Sequence, residues 1–113
     1  MTKLRYRIIF CFIFFLAAAL RLYQVNWDQN YHMHPDERAI VLAVLKLSFP
    51  TSPATFFSAT SPWNLKFFAY GSLPFYLLSI AGNSLATFNQ LWATYDGYTI
   101  LGRYLSACFD LGT

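Results

Sequence analysis

The sequence predicts an all-α, polytopic membrane protein fragment with two spanning helices, the start of a third, and an interfacial helix in the first outer loop. Of the 113 residues, 57% are hydrophobic and only 12% are charged, whereas a soluble domain averages about 25% charged. A chain this short has too little interior to hide so much apolar surface. Its long apolar runs therefore predict helices that lie in lipid.

The first predicted span covers about residues 6–25, close to the roughly 20 residues that a spanning helix needs. Three cationic residues, Lys3, Arg5 and Arg7, precede the uncharged run at 8–20. The positive-inside rule then places the N-terminus in the cytoplasm and the following loop outside, in a protein integral to the cytoplasmic membrane. The alternative is a cleaved signal peptide with its site at 17–19.

The rest of the chain divides into an outer loop and two further apolar segments. The loop covers about residues 26–66 and contains a helix at about 35–48, too short to span a bilayer. The second span is expected at about 72–92, and a third begins at about 98–113. Because that last segment stops before a full span, we expect the front part of a longer protein.

Adjacent carboxylates follow Pro35 at the predicted start of the loop helix. Asp36 and Glu37 there suit a general base, which needs a carboxylate near a substrate hydroxyl. The ordinary alternative is structural, because proline at the first position and acids in the first turn are typical of helix N-termini.

Two histidines, His32 and His34, precede these acids and form an H-x-H-x-D pattern with Asp36. Imidazole and carboxylate can bind a transition metal, but histidines with a structural place in the loop are the ordinary alternative. A divalent metal is therefore considered but not supported, and no cofactor is predicted. Cys11 and Cys108 lie in apolar runs without zinc-site spacing.

Arg103 is a cation inside the third apolar segment, where an ionisable residue indicates either a functional site or a side chain that reaches the interface. Asp110, seven residues later, can share its helix face. The aromatic stretch at 67–76 indicates an interfacial belt or a substrate groove. The remaining basic residues form no stripe, which argues against a nucleic-acid partner.

Four short motifs occur in a recognisable order: ALRL at 19–22, HPDE at 34–37, YGSLPFY at 70–76 and GRYLSA at 102–107. Their order resembles the N-terminus of type C membrane glycosyltransferases. Within that class, the chain looks similar to the dolichyl-phosphate-mannose-protein mannosyltransferases and their bacterial relatives that use polyprenyl-phosphate sugars.

This resemblance implies a many-spanning helical enzyme that works on the outer face of a lipid membrane. It would transfer a sugar from a polyprenyl-phosphate donor to a hydroxyl acceptor on a protein or glycolipid. Asp36 would be the catalytic base, with Glu37 beside it. Arg103 would contact the lipid phosphate, and Tyr70 and His34 would belong to the substrate site.

We expect residues 1–113 to be inactive alone, because such an enzyme needs many more helices. One alternative is a non-enzymatic small membrane subunit or transporter fragment whose helices pack through Gly82 and Ser84. Another is a metal-binding module built from His32, His34 and Asp36.

Overall fold

A computed structural model describes residues 3–113 of the chain. Five α-helices and one short 3₁₀ helix follow one another along this range. They are α1 (Lys3–Leu22), α2 (Pro35–Val44), α3 (Pro53–Phe56), α4 (Leu73–Ala86), the 3₁₀ helix (Gln90–Ala93) and α5 (Tyr95–Gly112).

Local chemistry accounts for where these helices begin. Proline occupies the first position of α2 and the first turn of α4, where its missing N–H leaves no bond unmade. At the start of α5, the Thr94 hydroxyl accepts a hydrogen bond from the Gly97 N–H at 3.3 Å. Such a cap satisfies one of the free amides of the first turn.

The core lies between α2, α4 and α5 and includes side chains from the segment that joins α2 to α4. Phe75 is completely buried at its centre, and Val41 and Val44 of α2 pack there with it. The other buried apolar members are Leu47, Leu65, Leu78, Tyr98 and Leu101. The helix predicted within the outer loop, α2, thus packs on the protein, and its apolar face completes the core.

The joining segment is held on α4 by aromatic stacking. The Trp63 ring lies between Phe49 and Tyr76, with centroid separations of 4.6 and 5.1 Å. The Tyr76 hydroxyl also donates to the Trp63 carbonyl oxygen at 3.1 Å. Part of the predicted aromatic stretch therefore serves to fix this segment.

The prediction of two spanning helices, and with it the placement in the cytoplasmic membrane, is wrong. No helix within residues 3–113 is both long enough and apolar enough to cross a bilayer. The 20 residues of α1 include Lys3, Arg5, Arg7 and Arg21, because the helix extends through the flanking cations.

Length and charge also exclude the other two helices as spans. The expected second span ends early, because α4 has only 14 residues. At 1.5 Å per residue this is about 21 Å, against about 30 Å of hydrocarbon. The third candidate, α5, carries Asp96, Arg103 and Asp110 within its 18 residues.

Candidate functional site

The guanidinium of Arg103 joins three parts of the fold. Two N–H groups donate to Glu37 of α2, from Nε to Oε1 at 2.9 Å and from Nη2 to Oε2 at 2.7 Å. Two more donate to Asp28, from Nη1 at 3.0 Å and from Nη2 at 2.8 Å. The fifth, on Nη1, reaches the Val25 carbonyl at 3.0 Å. Since arginine has five N–H donors, every donor is used.

Asp28 is the buried partner in this cluster, with no exposed side-chain surface. The hydrogen bonds from Arg103 hold the pKa of Asp28 at about 2, although burial acts in the opposite direction. The same two carboxylates raise the pKa of Arg103, with the Glu37 hydrogen bond as the largest cause. The Asp28–Arg103 ion pair therefore stays charged throughout the physiological range.

Sequence reasoning missed Asp28, although a signal was present. A cation in an apolar segment needs a carboxylate partner, and the chain has only five acidic residues from which to choose. The sequence analysis placed only Asp110 near Arg103, on the same face of its helix. In the structure Asp110 instead contacts Arg21 of α1.

Glu37 has both carboxylate oxygens in the ion pair with Arg103, and its side chain is 30% exposed. Charge-assisted, two-point bonding of this kind fixes position. A carboxylate so occupied is a weak candidate for a base, so the geometry suits Glu37 to holding α2 against α5.

Asp36 is the carboxylate that this cluster leaves out. It is exposed on the first turn of α2, and its Oδ1 accepts a 2.8 Å hydrogen bond from the Tyr70 hydroxyl. The bond raises the pKa of Tyr70, which therefore remains the proton donor in the pair. The structure thus brings together two residues that the resemblance assigned to catalysis and substrate binding, 34 positions apart.

The histidines do not join this pair. His34 is exposed before α2 and makes no capping hydrogen bond with its side chain. His32 turns to α5, where Nε2 lies 2.7 Å from Asp96 Oδ1 and Nδ1 lies 3.4 Å from Thr99 Oγ1.

The H-x-H-x-D residues therefore do not converge. Within residues 3–113, no group of three or more His, Cys, Asp or Glu side chains is arranged to hold a metal ion. His32 instead has a structural position, with its ring edge-on to Tyr95 at 4.4 Å.

A groove of about 700 Å³ runs between α2, α4 and α5, beside Glu37 and Arg103. Its charged wall consists of Glu37 and Arg103. The rest is mainly apolar, and includes Val41, Leu73, Leu77, Leu78, Leu105 and Phe109. This volume lies in the range of small-ligand sites, which are usually apolar with a few polar groups.

Comparison with known proteins adds nothing to this geometry: no protein-family model, curated protein or solved structure matches the chain.

Proposed function

We propose that this chain contributes the catalytic base to a glycosyltransferase that moves a sugar from a polyprenyl-phosphate donor to a hydroxyl acceptor. The observation that carries the proposal is the Asp36–Tyr70 pair, an accessible carboxylate held by a 2.8 Å hydrogen bond. The motif order described above supports the donor class. The apolar groove next to Glu37 is suited to the hydrocarbon part of a glycolipid acceptor.

The chemistry requires only one carboxylate. Tyr70 donates to Oδ1 of Asp36, so Oδ2 remains to take the proton of the acceptor hydroxyl. The acceptor oxygen forms its bond to the anomeric carbon as the bond from that carbon to the phosphate oxygen breaks. The polyprenyl phosphate leaves with the electron pair and needs no proton, because a phosphate is a good leaving group.

Asp36 is exposed in this structure, whereas a general base is commonly tuned by partial burial. Bound acceptor would supply that burial, since it has to cover the carboxylate to react. Arg103 acts indirectly in this scheme, because its bonds to Glu37 fix the helix turn that carries Asp36.

The test is transfer of radiolabelled sugar from a polyprenyl-phosphate donor by the purified native gene product. Removing a general base lowers turnover by about 10²–10⁴-fold, so Asp36→Asn should have that effect with expression unchanged. The matched control is Asp110→Asn, an exposed carboxylate outside the groove, which should retain wild-type turnover. Retained turnover in Asp36→Asn would remove Asp36 from the base role.

The competing proposal is a non-enzymatic subunit in which the acids are structural. The full use of Arg103 by Asp28 and Glu37 favours it, because that cluster has the form of a clamp. A folded native gene product that transfers no sugar from any polyprenyl-phosphate donor would favour the subunit over the transferase.

A further inference from the structure

The charged wall of the groove between α2, α4 and α5 has free hydrogen-bond acceptor sites but no free N–H donor. Arg103 has no N–H left to give, because Asp28, Glu37 and the Val25 carbonyl take all five. An ionised carboxylate has about four lone-pair sites, and Glu37 uses two of them for Arg103. This wall can therefore accept further hydrogen bonds from a ligand but cannot donate them.

The net charge of the cluster also disfavours a ligand that is negatively charged. Two carboxylates, Asp28 and Glu37, face one guanidinium, so the cluster carries a net charge of −1. A phosphate placed here would be repelled. It could gain a donor from Arg103 only by displacing a carboxylate, and that carboxylate would then lose its charge partner.

We propose that this groove binds one apolar chain whose polar end donates hydrogen bonds and carries no negative charge. The proposal rests on the function proposed above, within which such a ligand is the hydroxyl acceptor. It moves the donor phosphate away from Arg103, the residue that the family resemblance had assigned to phosphate contact. The aliphatic walls hold the chain, and the free lone pairs of Glu37 accept a hydrogen bond from its polar end. The reacting hydroxyl then turns to Asp36, which takes its proton.

The binding experiment uses three eight-carbon probes that differ only at the polar end: 1-octanol, octylamine and octyl phosphate. Affinity is measured with the native gene product by isothermal titration calorimetry at neutral pH and low salt. We expect 1-octanol and octylamine to bind, and octyl phosphate to bind at least tenfold more weakly. Shortening the alcohol to 1-hexanol should weaken binding by roughly fourfold per methylene removed.

Matched variants test whether the ligand binds in the groove. Leu77→Trp fills the apolar wall and should abolish 1-octanol binding, whereas Leu42→Trp makes the same change on the exposed outer face of α2 and should not. If Leu77→Trp fails to fold by circular dichroism, Leu73→Ala replaces it, with Leu42→Ala as control. Loss of 1-octanol binding in both the groove variant and its control, or in neither, would overturn the proposal.

A charge variant tests the cause of the preference. Glu37→Gln removes one negative charge from the wall and should bring the affinity for octyl phosphate closer to that for 1-octanol. An unchanged discrimination would contradict the charge argument. Tight binding of octyl phosphate to the wild type would assign the groove to the donor and overturn this inference. The Asp36 transfer assay would still stand, so the two failures are distinguishable.

Discussion

At the scale of single residues, the Arg103 guanidinium determines how the segment between α1 and α2 is held against the helices. Its side chain is 10% exposed and pairs with Asp28, which has no exposed side-chain surface. A buried ion pair adds little compared with apolar packing, but removing one partner leaves a buried charge uncompensated. Trp27 adds to the enclosure, since the guanidinium carbon lies 5.3 Å from its ring centroid.

Replacing the buried arginine should therefore cost far more than replacing an exposed one. We expect Arg103→Gln to lower the free energy of unfolding by about 3–5 kcal/mol, because Asp28 loses its partner. Arg21→Gln removes the cation of the exposed pair with Asp110 and should cost less than about 1 kcal/mol. Urea denaturation followed by circular dichroism measures both. Equal costs would contradict the clamp role of Arg103.

The same cluster predicts a dependence on acid. Folding lowers the pKa of Asp28 from 3.8 to about 2. Below about pH 4, Asp28 is therefore protonated in the unfolded chain while it is still ionised in the folded chain. The stabilisation is fully present above pH 4 and is lost as the pH falls towards 2. Urea midpoints measured from pH 5 to pH 2 should show this decline. Asp28→Asn should flatten the decline, while the exposed-site control Asp110→Asn should keep it.

At the scale of elements, the crossing of α4 and α5 depends on a glycine. Gly82 is buried, and a Cβ built on it would overlap the Tyr98 ring. The ring is anchored there because Asn83 donates to the Tyr98 hydroxyl at 3.1 Å. Burial raises the pKa of Tyr98, with the Asn83 hydrogen bond opposing it. Ser84, the other small residue expected at a helix contact, is exposed.

Two glycine-to-alanine changes should have opposite effects on this crossing. Gly82→Ala forces the Tyr98 ring away from α4 and should destabilise the fold by about 1–3 kcal/mol. Gly102→Ala places its Cβ 3.7 Å from Leu78, an ordinary contact, and should stabilise α5 by up to about 1 kcal/mol through helix propensity. Thermal unfolding compares the two proteins with wild type. A stable Gly82→Ala protein would show that Tyr98 can move.

At the scale of the whole molecule, the buried core lies away from the longest helix. No residue of α1 is buried, whereas Phe75 of α4 is completely buried. The core forms around the aromatic and aliphatic side chains of three shorter helices, α2, α4 and α5. The length of a helix is therefore not a measure of its contribution to this core.

The same substitution made in the core and on α1 tests this difference in burial. Phe75→Ala removes a ring from the centre of the core and should cost about 3–5 kcal/mol in unfolding free energy. Phe12→Ala removes the same ring from α1, where the side chain is 68% exposed, and should change stability by no more than about 0.5 kcal/mol. A large loss in Phe12→Ala would show that α1 packs more closely than this structure describes.

Features that depend only on neighbouring residues could be predicted from the sequence. Pro35 begins α2, Asp36 and Glu37 occupy its first turn, and Pro74 lies in the first turn of α4, because capping and proline geometry act within about one helical turn. The expected spans were wrong because their assignment relied on apolar content, whereas α1 extends through its flanking cations and α4 ends after 14 residues.

The partners of the charged and polar side chains depend on how the chain folds back on itself. Arg103 reaches Glu37 and Asp28 across 66 and 75 positions, His32 reaches Asp96 across 64, and Tyr70 reaches Asp36 across 34. Spacing along a helix placed Asp110 on the same face as Arg103, but spacing gives no information on which segments fold back on one another. The physical reason is burial: a guanidinium enclosed by three segments bonds to the carboxylates enclosed with it, and the packing of those segments determines which these are.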